Sequence, residues 1–314
     1  MKKAFLIVAV MLFAVIAFSL FKESPLTQTS IERPVVTVST FALYDIVRHV
    51  AEDKVDLFMI VPFGVDVHSF EPTPRELAKL SKSALFIYSG AGLEPWAETF
   101  SKSVKTVDIS QHVKLLHLEE VDPDDDQHDM HHSDHHHAER VDPHYWLDME
   151  NMILATRNIE KALVEVVPNA DSLFQRNAEA YITQLYMIDD RYKNRLSACK
   201  QSRIIVNHNA FGYLARRYGF EITALSGLSP EAMPSAKTMA KLTDLVKSHK
   251  IKTIFFESFV SDRLIKNIAK ESGAGVDVLQ PLANITADEA AKEQNFEQLM
   301  ERNLNKLSTA MECL

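Results

Sequence analysis

Glycine and basic charge are both scarce in this 314-residue chain. It has eight glycines, against an average of about 7% of residues. That scarcity argues against glycine-rich phosphate loops and flexible linkers, and it favours a stiff, helix-rich body. Lys and Arg number 34 against 43 Asp and Glu, a formal net charge of −9. Because no basic stripe is present to neutralise phosphates, we expect no nucleic-acid partner.

Cysteine is nearly absent, and none follows the apolar run near the N-terminus, which excludes lipid attachment there. Lys2 and Lys3 precede that run, residues 4–20, and small residues at 17 and 19 suit cleavage after Ser19. We therefore predict that residues 1–23 are a signal peptide. The run is as long as the shortest membrane-spanning helices, so an uncleaved anchor is the alternative. Either way the remainder is exported.

Export gives a meaning to the two cysteines, Cys199 and Cys313. An oxidising compartment favours a disulfide between the only pair, and both residues fall in the second half of the chain. The alternative is two buried free thiols. We predict one intramolecular bridge, remote from any metal site.

Short apolar runs alternate with amphipathic segments on both sides of a central helical stretch. The predicted strands are residues 34–40, 55–61, 84–88, 104–109, 203–207, 221–225, 252–257 and 275–279. The predicted helices are residues 43–51, 74–81, 94–103, 150–166, 170–196, 210–218, 235–248, 261–271 and 288–311. This alternation predicts an α/β protein with two parallel-sheet lobes joined by one long rigid helix. The expected parts are an N-terminal lobe, 33–148, a helical segment, 149–197, and a C-terminal lobe, 198–314.

One acidic, histidine-rich stretch, residues 119–142, interrupts the pattern. It contains His128, His131, His132, His135, His136 and His137 among several aspartates. Such a segment is too polar to bury, and imidazoles suit zinc, copper and nickel. We interpret it as an accessory loop that binds metal weakly. The alternatives are a solvated acidic loop or an engineered tag, although a tag would sit at a terminus.

Three isolated histidines stand near the predicted ends of ordered segments. His68 follows the strand 55–61, His208 follows the strand 203–207, and His144 lies where the histidine-rich stretch re-enters ordered structure. Open α/β sheets bind ligands beyond the carboxyl ends of their strands. We therefore expect these three side chains to meet in the cleft between the lobes.

The segments around these histidines also carry a family resemblance. GVDVHSFEPTP (residues 64–74), DPHYWLD (142–148) and NHNAFGYL (207–214) resemble, in order, three ligand motifs of the metal-binding proteins that serve bacterial ABC importers of zinc and manganese. The resemblance covers the whole exported chain. It implies a monomeric, periplasmic two-lobed protein that holds one ion for an ABC-type permease in the inner membrane.

Zinc-binding members resemble this chain in having histidine at the third motif, where manganese members usually carry glutamate. His208 therefore indicates Zn(II), in line with the preference of imidazole for zinc. At the fourth position, LQPL (279–282) resembles the family's Leu-Asp-Pro-Leu, so Gln280 replaces a carboxylate. Because an amide binds zinc poorly, the fourth ligand is water or an unplaced carboxylate such as Asp277 or Glu257.

Two other functions share this ligand set. Three histidines and a water on zinc also form a hydrolytic site, but no H-E-x-x-H helix or paired-carboxylate motif is present. The other alternative is a manganese-binding, metal-buffering or adhesin-type member of the same fold. We expect no enzymatic activity.

Overall fold

The computed structural model describes residues 33–100, 103–118, 140–228, 236–258 and 263–314. The strands are β1 (Val35–Val38), β2 (Asp56–Met59), β3 (Leu85–Tyr88), β4 (Thr106–Asp108), β5 (Leu116–Leu118), β6 (Arg140–Asp142), β7 (Arg203–His208), β8 (Glu221–Ser226), β9 (Thr253–Phe256) and β10 (Gly275–Val278). The α-helices are α1 (Phe41–Ala51), α2 (Pro74–Leu80), α3 (Met149–Val166), α4 (Asp171–Leu196), α5 (Gly212–Tyr218), α6 (Ala236–Ser248), α7 (Arg263–Ser272), α8 (Ala287–Ala291) and α9 (Phe296–Ala310). Among them, none combines the length and the apolar composition needed to cross a membrane.

Two four-stranded sheets, each with only parallel pairings, form the two lobes. Their strand orders are β2-β1-β3-β4 and β10-β9-β7-β8. Parallel sheets need both faces covered, and the strands of this chain are correspondingly apolar. In β7, Ile204 and Val206 belong to the main apolar core, whereas Ile205 belongs to a second, smaller core. This alternation confirms the predicted α/β class with helices on both faces.

The long helix α4 contacts both halves of the chain. Its 26 residues span about 39 Å at 1.5 Å per residue. The Tyr181 hydroxyl donates to Asp45 Oδ2 of α1 at 2.9 Å, and the Tyr192 hydroxyl donates to the Met300 carbonyl of α9 at 2.7 Å. Both tyrosines are buried. The helix is therefore packed along its length rather than free between the lobes, as expected of a rigid connection.

A disulfide joins Cys199 to Cys313 across 114 residues, as predicted. It lies just after α4 and just after α9, where the backbone N–H of Gln201 also donates to the Met311 carbonyl. The bridge thus pins the C-terminal end of the chain beside the start of β7.

Two predicted helices were wrong in extent. Residues 94–103 form only a 3-10 turn, Ala97–Phe100, within their described part, because Pro95 disfavours a helical conformation at Glu94. The closing helix over 288–311 is two helices, α8 and α9. Glu293 takes a left-handed conformation between them, and the side chain of Asn295 caps the second helix by accepting from the N–H of Gln298 at 2.9 Å.

The sequence also failed to predict an antiparallel ribbon of β5 and β6, in which Leu116 pairs with Asp142. The last three residues of the predicted loop 119–142 therefore form a strand. The six loop histidines, His128, His131, His132, His135, His136 and His137, lie outside the described residues, as does the predicted leader, 1–23.

Candidate metal centre

His68 lies at the end of a loop that follows β2. Gly64 takes a left-handed conformation, φ 87°, which glycine adopts without a steric penalty. The N–H of Val65 donates to the Pro62 carbonyl at 3.2 Å, and the N–H of His68 donates to Asp66 Oδ1 at 3.0 Å. These local bonds turn the chain so that the half-buried His68 ring faces the cavity described below.

His144 follows β6 and is fully buried, as is Asp142 two residues earlier. Asp142 Oδ1 lies 2.9 Å from the backbone N of His144 and 2.8 Å from its Nδ1. The carboxylate therefore fixes the ring with Nδ1 toward Asp142 and Nε2 toward the other histidines. Asp142 belongs to the motif recognised in the sequence, but its contact with His144 was not predicted.

His208 is the last residue of β7, and Glu257 directly follows the neighbouring strand β9. Both side chains are buried, and the Glu257 carboxylate contacts His208 Nδ1. Parallel strands bring their carboxyl ends to one edge of the sheet, so residues 49 positions apart meet there. Glu257 thus holds His208 as Asp142 holds His144.

The three histidines converge, as the sequence predicted. His144 Nε2 lies 3.2 Å from His68 Nε2 and 3.4 Å from His208 Nε2. One nitrogen of each ring lies within 4.8 Å of the others, and no other cluster of this kind occurs in the described residues. They line a cavity of about 10 Å³, together with Asp66, Val67, Glu257, Pro281, Ala283 and Asn284. That volume admits about one atom of water size.

The cavity keeps His68 neutral. Burial is the main cause that lowers the pKa of His68 to about 2, and the neighbouring His144 and His208 contribute to this shift because adjacent imidazolium charges would repel. A neutral imidazole exposes a nitrogen lone pair, which is the form that binds a metal ion. His68 can therefore coordinate a cation near neutral pH without first losing a proton.

Gln280, expected at the fourth position, is turned into the C-terminal lobe. It is buried but does not line the cavity, and its Nε2 donates to Glu289 Oε2 at 2.7 Å. Of the two carboxylates considered as substitutes, Asp277 pairs with Lys306 and lies outside the cavity lining. Glu257 lines the cavity, where it contacts His208.

Arg217, in the third motif, links that motif to the second one and to α4. Its guanidinium donates to both carboxylate oxygens of Asp189, at 2.7 and 2.8 Å, and to Asp148 Oδ1 at 2.9 Å. Burial of Asp189 opposes its ionisation, but hydrogen bonds from Arg217, Lys193 and Tyr218 lower its pKa to about 2. The segments that carry His144 and His208 are thereby tied to the same helix.

The residues that the motifs did not reveal are those that support the histidines. Asp142 and Glu257 contact imidazole nitrogens, and Asn284 binds the loop before His68 from a position more than 200 residues later. Sequence spacing carries no signal for the Asn284 contact. Asp142 had one weak signal, because metal-binding histidines usually donate their other ring N–H to a carboxylate, a backbone carbonyl or water, and Asp142 is the nearest carboxylate before His144 in the sequence.

The model for the family described as "ZnuA: Zinc-uptake complex component A periplasmic" matches residues 36–310 of this chain. The chain belongs to this family. The resemblance drawn from the three histidine motifs is thus confirmed, and the match includes both sheets and the helix between them.

Individual relatives agree with this membership of the ZnuA family. The chain is 34% identical over 277 residues to the zinc-binding lipoprotein AdcA of Streptococcus pneumoniae, covering 87% of this chain and 54% of AdcA. It is 30% identical over 281 residues to the high-affinity zinc uptake system protein ZnuA of Bacillus subtilis, covering 88% of this chain and 87% of ZnuA. The chain therefore spans about half the length of AdcA but most of the length of ZnuA.

Solved structures share the two-lobed fold. The Zn(II)-bound ZnuA-like domain of Streptococcus pneumoniae AdcA has a TM-score of 0.73 and 30% identity, covering 89% of this chain and 99% of that domain. The laminin-binding protein Lmb of Streptococcus agalactiae, described as having adhesin and metal-transporting activity, has a TM-score of 0.75 and 27% identity. That match covers 88% of this chain and 99% of Lmb.

Proposed function

We propose that this chain is an exported zinc-binding protein that captures Zn(II) and delivers it to an ABC-type permease. The observation that carries the proposal is the convergence of His68, His144 and His208, one from each of the three motifs, on a single small cavity. The ion would lie where segments of both lobes meet. Both lobes would then supply ligands to the bound zinc ion.

The nitrogen positions suit zinc. Two nitrogens bound tetrahedrally to one zinc ion at about 2.0–2.1 Å lie about 3.3 Å apart. The two measured Nε2 separations in the cluster, 3.2 and 3.4 Å, bracket that value. Three imidazoles also favour zinc over manganese, which prefers oxygen ligands. The fourth coordination position on the zinc ion would be taken by Glu257 or by water. Gln280 does not take it, because its side chain donates to Glu289 in the C-terminal lobe.

A zinc hydrolase is the less suitable alternative. A hydrolytic site needs room for a substrate beside the metal-bound water, with a general base in reach. The cavity, about 10 Å³, accommodates little more than one ion. Its one buried carboxylate next to a histidine ring, Glu257, already contacts His208 Nδ1. Family members are components of zinc uptake rather than enzymes.

Membership of this family supports proposals about delivery and location. The family is described as a periplasmic component of a zinc-uptake complex, and we propose a periplasmic protein that acts as a monomer on a permease in the inner membrane. Residues 1–23 would direct export. An adhesin role, as described for Lmb, would be separated from zinc uptake by zinc-limited growth of a strain that lacks this protein.

The test is zinc affinity of His68→Ala, His144→Ala and His208→Ala, measured by competition with a chelator of known affinity. Each substitution removes one of three bonds to the ion, so we expect each to weaken zinc binding by at least about 100-fold. Circular dichroism verifies folding. The exposed residue His249, outside the cavity, provides the matched control His249→Ala, which should bind as the wild type does. A cavity variant with wild-type affinity would show that its histidine is not a ligand.

A further inference from the structure

A segment from the C-terminal lobe crosses over to the loop that carries His68. This crossing segment, residues 281–286, follows β10 and ends at the start of α8. Its Ala283 carbonyl accepts the N–H of Phe41 at 2.8 Å, and its Ile285 carbonyl accepts the N–H of Gly64 at 2.8 Å. Backbone hydrogen bonds from Phe41 and Gly64 to the crossing segment therefore join the two lobes here.

Asn284, in the middle of the crossing segment, contacts the His68 loop through its side chain. Its Nδ2 donates to the Pro62 carbonyl at 2.7 Å and to the Val65 carbonyl at 2.8 Å. Its Oδ1 accepts the N–H of Ile285 at 2.8 Å. Asn284 is 1% exposed and lines the same cavity as His68. Both amide hydrogens are thus used to hold the loop that ends at His68.

The crossing segment is itself anchored at both ends to the C-terminal lobe. At its start, Asn303 makes two hydrogen bonds to the backbone of Gln280, at 2.7 and 3.0 Å. At its end, the Thr286 hydroxyl accepts the N–H of Glu289 at 3.1 Å, and Glu289 Oε2 accepts the N–H of Thr286 at 2.9 Å. The same Glu289 oxygen accepts from the Gln280 amide. One carboxylate therefore fixes both ends of the segment.

The environment of Glu289 favours the ionised form of its side chain. Burial opposes ionisation, but the hydrogen bonds from Thr286 and Gln280 and the neighbouring Arg302 outweigh it and lower the pKa of Glu289. The departure of Gln280 from the family's aspartate is consistent with this arrangement. An amide donates to Glu289, whereas a second carboxylate would repel it.

We propose that Asn284 is a positioning residue for zinc binding, which sets the place of His68 by holding residues 62–65 against the C-terminal lobe. The inference rests on the proposed function. The other two ligands are oriented by carboxylates on their Nδ1 atoms, Asp142 for His144 and Glu257 for His208. His68 is instead positioned through the backbone of its loop. The side chain that binds this backbone from across the cleft is Asn284, beside the backbone bond from Gly64 to Ile285.

The main test is Asn284→Asp, which keeps the shape of the side chain but directs a carboxylate oxygen at two carbonyl oxygens. We expect zinc affinity to fall by about 10–100-fold, the range for residues that support metal ligands. Asn284→Ala removes the donors without adding charge, and we expect it to lower zinc affinity within the same range. It provides a second variant if Asn284→Asp does not fold. In the zinc-free protein, amide exchange at Gly64 should accelerate in both variants, because its hydrogen bond to Ile285 loses its support.

A double-mutant cycle with His68→Ala separates positioning from general destabilisation. If Asn284 acts through His68, Asn284→Asp changes zinc affinity by less than about twofold when His68 is already alanine. The matched control is Asn151→Asp. Asn151 is also buried and makes two hydrogen bonds to the backbone of Lys114, but it lies outside the cavity lining. The substitution Asn151→Asp should lower thermal stability and leave zinc affinity unchanged.

The outcomes distinguish this inference from the proposed function. If His68→Ala binds zinc normally, the zinc site itself is wrong. If His68→Ala weakens binding and neither Asn284 variant does, only the role of Asn284 is overturned. An equal effect of Asn284→Asp with and without the His68 imidazole would also overturn it, because the residue would then act on the fold rather than on that ligand.

Discussion

Asp142 and His144 form a fully buried pair in which one carboxylate oxygen, Oδ1, receives both the backbone N–H and the ring Nδ1 of the histidine. The other oxygen, Oδ2, has no hydrogen-bond partner among the described residues. It lies against Gly212 at the start of α5, where an added Cβ would be 2.9 Å away. The second and third histidine motifs therefore touch through a carboxylate and a glycine.

Removing the charge of Asp142 tests the electrostatic part of this contact. Asp142→Asn keeps the size of the side chain but presents a weaker acceptor to His144 Nδ1, or an NH2 group that repels it. We expect zinc affinity to fall by about 10–100-fold, with near-wild-type circular dichroism. Competition titration with a chelator measures the change. An Asp142→Asn protein with wild-type zinc affinity would contradict the assignment of Asp142 as the residue that orients His144.

Adding a methyl group at Gly212 tests the steric part. In Gly212→Ala the new Cβ must displace the Asp142 carboxylate, since 2.9 Å is shorter than carbon–oxygen contact allows. We expect a loss of about 1–3 kcal/mol in unfolding free energy and weaker zinc binding. The matched control is Gly275→Ala, whose Cβ would meet only the Lys252 carbonyl at an ordinary 3.5 Å. Equal effects of the two substitutions on zinc affinity would refute the contact.

The sequence predicted the fold and the three histidines because those features depend on local patterns. Apolar runs flanked by helical periodicity define strands, and the carboxyl ends of parallel strands meet at one edge of a sheet. His208 at the end of β7 follows that rule directly, and His68 lies in the loop that follows β2. The histidines also lie within recognisable motifs, so their convergence is expected from the sequence.

The supporting residues could not be predicted, because their roles depend on long-range contacts. Asn284 binds carbonyl groups 219 and 222 residues away, and the direction of the Gln280 side chain depends on Glu289, which lies in a separate short helix. That helix was itself merged with α9 in the sequence interpretation. The ribbon of β5 and β6 was missed because three-residue strands show no periodicity, although it carries Asp142.

The histidine-rich loop provides a prediction about stoichiometry. Deleting residues 124–137 leaves β5 and β6 in place, and these strands already pair beside His144. We expect the deletion to retain one tight zinc site and to lose additional weak ones, because a tract with so polar a sequence buries little apolar surface to offset the entropy lost when it chelates an ion. Calorimetric titration counts both classes. Replacing the six loop histidines by serine is the matched control, and loss of the tight site in either protein would show that the loop supplies a ligand.

The last prediction concerns pH and a buried carboxyl group away from the metal cluster. Glu94 is 3% exposed, and its two oxygens accept the N–H groups of Ser89 and Gly90 at 3.1 and 2.9 Å. Burial raises its pKa from 4.5 to about 7, although hydrogen bonds from Ser39, Ser89 and Gly90 oppose the rise. Folding therefore favours the protonated form of this group, whereas the unfolded chain ionises near its ordinary value.

The sign of the stability change follows from that difference. The contribution of Glu94 is fully present below pH 4.5 and is lost as the pH rises through about 7. The difference corresponds to about 3 kcal/mol at 1.36 kcal/mol per pKa unit. In urea unfolding of zinc-free protein between pH 5 and pH 8, the wild type should lose stability relative to Glu94→Gln, which cannot ionise, although Glu94→Gln is less stable at pH 5. This comparison cancels the opposite trend that the lowered pKa of His68 gives both proteins over the same range. Parallel profiles for the two proteins would show that Glu94 is already ionised in the folded state, so that the hydrogen bonds from Ser89 and Gly90 outweigh its burial.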